Sequence, residues 1–527
     1  MKAKTLLFNA RIHTQADGLV VDSMVLYKNR IVAVGNRLEH DPDFKSYVRI
    51  DLKGRTVVPG FVDAHTHFFF TARALGTIYL EEIDTLDKCL ARIKKFSDTL
   101  GKNEWVIGGG FSPARLKKRA ELDRYMLDKV TGGRPAFIFS KDQHTAWVNS
   151  KALKLAGVTA KTRDPQGGVI DRLPDGEPSG VLLETGYQPV YRLIPPLSET
   201  KVRKLYKQAL EMAYSKGVTG VHSMDGTAGF DFFSKLAETG SLGLRINYYF
   251  SAEVLSDLRR NKIRYGAGDD FLRIAGVKVF SDGSLGSQSA RCFNKYLGSK
   301  GNYGIETMPV DKLAGIVKAA GRLGLPCAIH AIGDKAVSNV LDAFEQAPPP
   351  KFPARHRIEH LQLIRRKDIA RLKRLGVVAS MQPSHCPSDI PLIRKYWGAR
   401  GVNAFIFRTL IDRKVDLAFG SDVPIEPLDP IAGIAAAVRR AREGSRDVFY
   451  PDQRLTAAEA LYRFTVGPAI ACGQAHCRGY LLEGYPADFV LLSDDITRLP
   501  ATKISAASVL ATVLDGKTKY RHRTSPI

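Results

Sequence analysis

The first 57 residues alternate apolar and polar side chains in short runs separated by turn residues. Such alternation predicts short strands with one buried face. The same pattern returns near the other end of the chain, and the runs are 5–8, 23–27, 30–35, 487–492 and 508–516. Because neither terminal segment is long enough to bury much surface alone, we predict that residues 1–57 and 470–527 pair into one composite β-sandwich domain.

The middle of the chain alternates strand-like and helix-like patterns, which is typical of a parallel sheet with helical crossovers. The opening strand ends near His67. Seven further candidate strands follow at 217–222, 244–250, 274–280, 325–330, 357–360, 377–381 and 415–420. Eight strands with this spacing predict an α/β fold, a closed (β/α)₈ TIM barrel formed by residues 58–68 and 200–469.

One gap in this alternation is too long for a single helix and two loops. Residues 69–199 must hold structure of their own, with strand-like runs at 105–110 and 135–140. An Asp-Gly pair within 168–177 lies between two strand-like stretches and predicts a hairpin. Because an insertion after a barrel strand lies over the catalytic mouth, we expect 69–199 to form a cap subdomain.

Composition is that of a globular protein with more than one domain, since the chain has 527 residues, 44% of them hydrophobic. The apolar runs fall far short of the roughly 18 residues that a membrane span requires. The first residues show a strand pattern, not that of a signal peptide. The six cysteines are scattered without paired spacing, which favours free thiols. We therefore expect a cytoplasmic protein with no membrane partner.

The formal net charge is +24, from 78 basic and 54 acidic side chains. The basic residues are interleaved with acidic and apolar ones, as in 365–374, which is typical of the solvated face of an amphipathic helix. We therefore expect no nucleic-acid partner. The alternative that the charge leaves open is a non-catalytic binder of nucleic acid or of an acidic surface on an inert barrel.

Two histidines one residue apart, His65 and His67, end the first barrel strand. In an extended strand, residues i and i+2 point to the same side. The two imidazoles can therefore bind one metal ion. The alternative is a chance pair on a solvated strand.

Further reactive residues lie at the ends of other predicted strands, where barrel enzymes gather their catalytic groups. They are Lys278 on the fourth strand, His330 on the fifth, His360 on the sixth and Asp422 just after the eighth. Each histidine alone could be a hydrogen-bonded strand-end residue, and Asp422 alone could be a turn residue. Their joint occurrence with His65 and His67 predicts a metal centre.

Lys278 is unusual at such a centre, because an ammonium group and a metal cation repel each other. A neutral amine can instead add carbon dioxide to form a carbamate, whose two oxygens could bridge a pair of divalent ions. The neighbouring Val277, Val279 and Phe280 predict a buried strand. Burial favours the carbamate role over the alternative of a solvated lysine.

At these positions the sequence resembles a known family. The segments concerned are Pro-Gly-Phe-Val-Asp-Ala-His-Thr-His at 59–67, Lys-Val-Phe-Ser-Asp-Gly-Ser at 278–284, His-Ala-Ile-Gly-Asp at 330–334, Arg-Ile-Glu-His at 357–360 and Gly-Ser-Asp-Val-Pro at 420–424. Together they resemble the amidohydrolase superfamily, and more narrowly its amidohydrolase-3 branch, which includes YtcJ-like proteins and N-substituted formamide deformylases. The resemblance spans nearly the whole chain.

The resemblance implies a divalent metal centre, usually zinc, with one or two ions. In that arrangement the ligands of one ion are His65, His67 and Asp422, and those of the other are His330 and His360, with carbamylated Lys278 between them. A bound ion lowers the pKa of its water and polarises a carbonyl. A nearby carboxylate can pass the proton of that water to a leaving nitrogen. We predict Asp422 as this catalytic proton shuttle.

One position departs from the branch, which commonly reads Gly-Ser-Arg-Thr-Ala where this chain has Gly-Ser-Gln-Ser-Ala at 286–290. A cation that could meet an anionic substrate group is therefore missing. Secondary candidates for substrate contact are His222, Asp282, His144 and Asp334. Each of them could equally be a structural hydrogen-bonding residue.

The predicted function is hydrolysis of a non-peptide carbon–nitrogen bond in a small molecule, such as an amide, formamide or cyclic amide, by a metal-activated hydroxide. An alternative on the same scaffold is a mononuclear deaminase or an esterase, which gains if Lys278 is unmodified and one ion binds. A homodimer is common for barrels of this size and is a further prediction.

Overall fold

The computed structural model describes residues 4–80, 83, 85–111, 122–140, 145–165, 168–351 and 353–527. The chain divides into two compact units. One consists of Met1–Phe70 with Leu210–Ile527, and the other of Thr71–Ala209.

The strands formed by the described residues are, in chain order, β1 (Lys4–Phe8), β2 (Arg11–His13), β3 (Val20–Val21), β4 (Ser23–Tyr27), β5 (Arg30–Gly35), β6 (Val48–Asp51), β7 (Thr56–Pro59), β8 (Phe61–Thr66), β9 (Ile78–Tyr79), β10 (Val106–Phe111), β11 (Ala136–Ser140), β12 (Thr145–Val148), β13 (Gly168–Arg172), β14 (Pro178–Glu184), β15 (Val218–Ser223), β16 (Arg245–Ser251), β17 (Leu272–Phe280), β18 (Cys327–Ala331), β19 (Arg357–His360), β20 (Val378–Met381), β21 (Leu417–Phe419), β22 (Phe489–Leu492), β23 (Val509–Leu514) and β24 (Lys517–Arg521).

The α-helices of the same residues are α1 (Phe68–Ala74), α2 (Leu86–Ser97), α3 (Arg124–Val130), α4 (Ser150–Leu155), α5 (Gln188–Tyr191), α6 (Glu199–Ser215), α7 (Gly226–Glu238), α8 (Leu255–Arg260), α9 (Val310–Arg322), α10 (Asp334–Glu345), α11 (Ile369–Arg374), α12 (His385–Leu392), α13 (Phe407–Asp412), α14 (Pro430–Arg439) and α15 (Ala457–Ala471). Along the described part of the chain, no helix combines the length and the apolarity that a bilayer span needs.

The barrel is one sheet of eight parallel strands, in the spatial order β8, β15, β16, β17, β18, β19, β20 and β21. The first and last of these strands meet at a parallel bridge between Thr66 and Val423, so the sheet nearly closes on itself. The predicted (β/α)₈ architecture is confirmed, and each of the eight predicted strands is present.

Burial explains why these elements form where they do. β18 and β20 are buried along their whole length, which is why they are mostly apolar instead of alternating. Helix α9 buries a single stripe. Its buried residues recur at helical spacing, and they are Leu313, Ala314, Val317 and Ala320.

Two smaller sheets are built from the terminal segments of the chain. The first, of order β5-β4-β1-β6, contains N-terminal strands, and the second, of order β24-β23-β22-β7-β2-β3, contains strands from both ends. In the second sheet β22 pairs antiparallel with β7, with Val490 opposite Val58. One hydrophobic cluster joins residues of both sheets, including Leu7 and Phe489. After β7, only Gly60 precedes β8, so this sheet leads directly into the barrel.

Asp495 links strands from the two ends of the chain. Its carboxylate accepts hydrogen bonds from Arg11 Nε at 2.5 Å, His13 Nε2 at 3.2 Å and the hydroxyl of Thr497 at 2.6 Å. Burial alone would raise its pKa, but the hydrogen bonds from His13 and Thr497 hold the pKa well below its ordinary value. We expect Asp495→Asn to lower the free energy of unfolding at neutral pH by about 1–3 kcal/mol.

The pH dependence of this effect has a definite sign. A carboxyl with a depressed folded-state pKa contributes stability above the pKa that it has in the unfolded chain, and the contribution is lost as the pH falls through the folded-state pKa. The difference between wild type and Asp495→Asn in urea unfolding should therefore shrink below about pH 4. Asp494→Asn, at an exposed neighbouring position, is the control. A difference that does not change with pH would contradict the assignment.

The unit Thr71–Ala209 contains a six-stranded sheet of order β13-β14-β12-β11-β10-β9. Both predicted strand-like runs are present as β10 and β11. The predicted hairpin is confirmed, since β13 and β14 are antiparallel with Ile170 opposite Leu182. The rings of Phe111 and Trp147 meet edge to face in one of its hydrophobic clusters. Its role as a cap over the barrel mouth stays a prediction.

Candidate metal centre

The six predicted metal-site residues lie at or near the C-terminal ends of five barrel strands. They are His65 in β8 and His67 just beyond it, Lys278 in β17, His330 in β18, His360 at the end of β19, and Asp422 after β21. Parallel barrel strands bring their C-terminal ends to one rim. Residues that are far apart along the chain therefore come close together.

Asp422 lies at the centre of this group. Its Oδ1 atom is 3.4 Å from His65 Nε2 and 3.5 Å from His67 Nε2, and its Oδ2 atom is 4.0 Å from His360 Nδ1. The amine of Lys278 is 3.5 Å from His65 Nε2. Ligand atoms of His65, His360 and Asp422 all lie within 4.8 Å of one another, which is close enough for these three residues to share one ion.

His330 lies beside His360, with 4.5 Å between the ring centroids. Its Nε2 atom is 3.0 Å from the carbonyl oxygen of Gly283. Because a carbonyl oxygen only accepts, this nitrogen carries the proton. The nitrogen of His330 that keeps a lone pair for an ion is therefore Nδ1.

Strained and closely packed backbone fixes the position of Asp422. Asp422 and His360 have positive φ values of 64° and 72°, which are uncommon for residues other than glycine and cluster at functional sites. At Gly420 a Cβ would lie 2.5 Å from a backbone nitrogen of β8, so only glycine fits. Asp63 in β8 accepts the backbone N–H of Ser421. These contacts hold the loop that carries Asp422 against the first strand.

Hydrogen bonds orient two of the histidines. His65 Nδ1 donates to Glu359 Oε2 at 2.6 Å, and His360 Nδ1 donates to Gln382 Oε1 at 2.9 Å. A proton on Nδ1 leaves the lone pair on Nε2, which is the form of imidazole that binds a metal. A carboxylate or carbonyl behind the imidazole is a common partner of such ligands.

A buried ion pair supports His65. Arg357 and Glu359 are both fully buried, with 2.5 Å between Arg357 Nε and Glu359 Oε1. Arg357 also donates to His222 Nδ1 at 2.8 Å. Burial alone would raise the pKa of Glu359, but the charges of Arg357 and Lys278 hold it below its ordinary value. Glu359 is therefore ionised and can accept the proton of His65 Nδ1 in a hydrogen bond.

Burial favours the neutral forms of the other groups. It lowers the pKa of His67 to about 4 and that of His330 to about 3, and the charge of Lys278 acts in the same direction. Burial also lowers the pKa of Lys278 and raises that of Asp422. Neutral imidazoles are the form that binds metal, and a nearby cation would return Asp422 to its carboxylate form.

The four secondary candidates have different surroundings. Asp282 and Asp334 each accept backbone N–H groups from neighbouring loops, which accounts for their burial without a ligand. His222 accepts from Arg357, and its Nε2 atom makes no hydrogen bond. His144 lies outside the described residues. Substrate contact by any of the four stays a prediction.

Three further residues belong to the centre without having been predicted from the sequence, and they are Glu359, Gln382 and His385. His385 lies in the segment after β20, with its Nε2 atom 3.9 Å from Asp422 Oδ2 and its ring stacked 6.2 Å from that of His360. Burial lowers its pKa to about 4. A search for polar residues in the loop after each predicted strand would have found His385. The roles of Glu359 and Gln382 depend on contacts between strands, which the sequence does not show.

Residues 49–520 match the family model described as the amidohydrolase family. This chain belongs to the amidohydrolase family. It is 31% identical to the putative amidohydrolase YtcJ of Bacillus subtilis, over 89% of this chain and 90% of YtcJ. It is also 26% identical to the N-substituted formamide deformylase of Arthrobacter pascens, over 99% of both chains.

The similarity to known proteins includes the fold, as one solved structure shows. The structure of an uncharacterized metal-dependent hydrolase from Pyrococcus furiosus has a TM-score of 0.77 and 29% identity to this amidohydrolase, over 94% of this chain and 100% of the other. The donor set described above fits a divalent ion, since neutral imidazoles and a carboxylate converge in a buried site. The amidohydrolase is therefore a metal-dependent hydrolase, with a candidate metal site at His65, His360 and Asp422.

Proposed function

We propose that this amidohydrolase cleaves the carbon–nitrogen bond of a small, uncharged amide that is not a peptide. The observation that supports this most strongly is the buried group of His65, His360 and Asp422 at the barrel rim. A relative that aligns along 99% of both chains is an N-substituted formamide deformylase. N-substituted formamides are therefore the first substrate class to test.

The residues that would hold the metal are those predicted from the sequence. One ion would be bound by His65, His67 and Asp422 and a second by His330 and His360, with carbamylated Lys278 between them. Imidazole and carboxylate ligands suit zinc. When bound, the metal supplies Lewis acidity, which polarises the amide carbonyl and lowers the pKa of a water molecule.

Asp422 would move the proton in this reaction. Its carboxylate would accept a proton from the attacking water and deliver it to the amide nitrogen, so that the amine leaves in its neutral form. With the metal bound, Asp422 would be a carboxylate at the start of the reaction, which is the form that can accept this proton. Glu359 would keep His65 oriented throughout, because it is ionised and fully buried.

Exposed apolar side chains next to the centre indicate what the substrate carries. Phe280 is 50% exposed, and its ring lies 5.3 Å from that of His330. Ile425, in the loop that follows Asp422, is 68% exposed. Apolar surface beside a few polar groups is typical of small-molecule sites. With Gln288 where the branch commonly has arginine, we propose a substrate with an apolar substituent and no anionic group.

The protein reconstituted with zinc should hydrolyse N-arylalkylformamides with a kcat/KM at least about tenfold above that for N-formyl amino acids. A tenfold preference corresponds to about 1.4 kcal/mol. This is a modest part of the free energy that a substrate carboxylate loses when it gives up its hydration and meets no cation in the site. Release of the amine, measured by chromatography, reports both rates. Gln288→Arg should reduce the preference. A wild-type protein that prefers the carboxylate substrates would contradict the proposed substrate class.

A chelator should remove the activity, and zinc should restore it. Elemental analysis should count two ions per chain, and carbon-13 bicarbonate should give a carbamate signal that Lys278→Met lacks. The control is Lys312→Met, on the exposed side of α9. One ion per chain with an unmodified Lys278 would instead favour the mononuclear deaminase or esterase. In that case His65, His360 and Asp422 would be enough to bind the single ion.

The net positive charge does not require a nucleic-acid partner. Arg371 in α11, for example, is within salt-bridge distance of Asp342, Glu345 and Asp368, so neighbouring carboxylates neutralise it. Salt-dependent binding of duplex DNA together with no hydrolysis of any amide would support the alternative of a non-catalytic binder.

A further inference from the structure

We propose that His385 is a catalytic residue that donates a hydrogen bond from Nε2 to the carbonyl oxygen of the substrate amide. This inference rests on the proposed function. His385 belongs neither to the predicted ligands nor to the predicted substrate contacts.

The position of His385 supports this role. It is 8% exposed, and its ring is nearly parallel to that of His360, with 13° between the planes and 6.2 Å between the centroids. Its Nε2 atom lies 3.9 Å from Asp422 Oδ2, which is beyond hydrogen-bond distance. In the proposed reaction Asp422 gives its proton to the amide nitrogen of the substrate. The carbonyl group of the same amide would therefore lie near His385 Nε2.

Gln362 favours one tautomer of His385. Its side-chain amide nitrogen, which can only donate, is 3.4 Å from His385 Nδ1, and the Gln362 side chain also hydrogen-bonds Asp389. With His385 Nδ1 as the acceptor of this contact, the proton of the neutral ring is on Nε2. This Nε2–H group is buried and has no partner at full hydrogen-bond geometry, and the backbone of Ser421 is the nearby polar group that acts on the ring. Such a donor is costly to bury unless a ligand meets it.

Two neighbouring amides also have unused hydrogen-bonding capacity. Gln362 Oε1 and Gln382 Nε2 are buried without hydrogen-bond partners, and the residues are 3% and 1% exposed. Gln362 contacts His385, and Gln382 holds His360. Donors and an acceptor are thus both available around the centre, which matches an amide, because an amide offers a C=O acceptor and an N–H donor.

The hydrolysis balances with His385 in this role. Water adds to the carbonyl carbon, its proton passes to Asp422 and then to the nitrogen, and the carbon–nitrogen bond breaks to give a carboxylic acid and an amine. His385 keeps its own proton throughout. Its N–H dipole stabilises the negative charge that develops on the carbonyl oxygen, and a buried, preoriented donor is effective for this purpose.

Two substitutions test the hydrogen bond directly, with zinc-loaded protein and an N-arylalkylformamide as the probe. His385→Leu removes the donor and should lower kcat by about 10²–10³-fold with little change in KM. His385→Gln places an amide N–H near the original position and should recover most of that loss. His40→Leu, at an exposed position, is the control for loss of a histidine. Zinc content and melting temperature should be unchanged in all three variants.

The possible outcomes separate this inference from the proposed function. A wild-type protein that hydrolyses no amide would sink the proposed function and this inference with it. An active wild type with an equally active His385→Leu would overturn this inference alone. Loss of zinc from His385→Leu would also overturn it, because His385 would then be a metal ligand. Independently of turnover, nitrogen-15 spectra of the free protein should show the Nε2–H tautomer at His385, and the Nδ1–H tautomer would contradict the proposal.

Discussion

Asp422→Asn should lower kcat/KM for amide hydrolysis by about 10³-fold or more while the protein stays folded. The amide of asparagine has the shape of the carboxylate but cannot accept the proton of the attacking water. Since the carboxyl is buried and its pKa is raised, a neutral group at this position should not destabilise the metal-free protein. Steady-state kinetics, zinc content and melting temperature together check this result.

The matched control for Asp422 is Asp257→Asn. Asp257 lies in α8, where its side chain is half-exposed and pairs with Arg260, and its replacement should leave kcat/KM unchanged. Retention of most of the activity by Asp422→Asn would remove the proton-transfer role. If the variant also loses zinc, the assay is repeated in excess zinc, so that a loss of ligand and a loss of the shuttle can be told apart.

Arg357→Met should lower the free energy of unfolding by about 3–5 kcal/mol, because it leaves the carboxylate of Glu359 buried without its partner. Both side chains of the pair are fully buried. The same change should weaken metal binding, because Glu359 would then become protonated and would no longer accept the hydrogen bond that orients His65. Denaturant unfolding measures the first effect, and zinc titration of the metal-free protein measures the second.

A second variant and a surface pair make this prediction specific. The double change Arg357→Met with Glu359→Leu removes both charges and should recover much of the stability, but not the zinc affinity. Arg394→Met breaks an ion pair with Asp447 whose side chains are more than half exposed, and it should cost less than about 1 kcal/mol. An Arg357→Met protein as stable as Arg394→Met would show that the buried pair contributes little.

The barrel could be predicted from the sequence because its strands have a simple pattern. Fully buried parallel strands such as β18 and β20 are mostly apolar runs, and helices of suitable length separate the barrel strands. Once the strands are placed, the fold itself brings His65, Lys278 and Asp422 to one rim. The candidate ligands follow from topology combined with residue type.

The supporting residues could not be predicted in the same way. Glu359 faces His65 across the barrel, and their contact depends on which strands face each other and on side-chain direction. Gln362 and His385 meet through the segments that follow two different strands. Pattern and spacing along the chain contain no information on such pairs, although they decide which nitrogen of each imidazole carries the proton.

The six-stranded sheet that joins both ends of the chain has a consequence for protein synthesis. β2 and β7 leave the ribosome early, whereas β22, which pairs with β7 in the same sheet, is made only after the whole barrel. During translation the hydrogen-bonding edge of β7 stays open, and open edges invite pairing with other chains. The unpaired edge of β7 is therefore exposed until the last strands of the chain have been made.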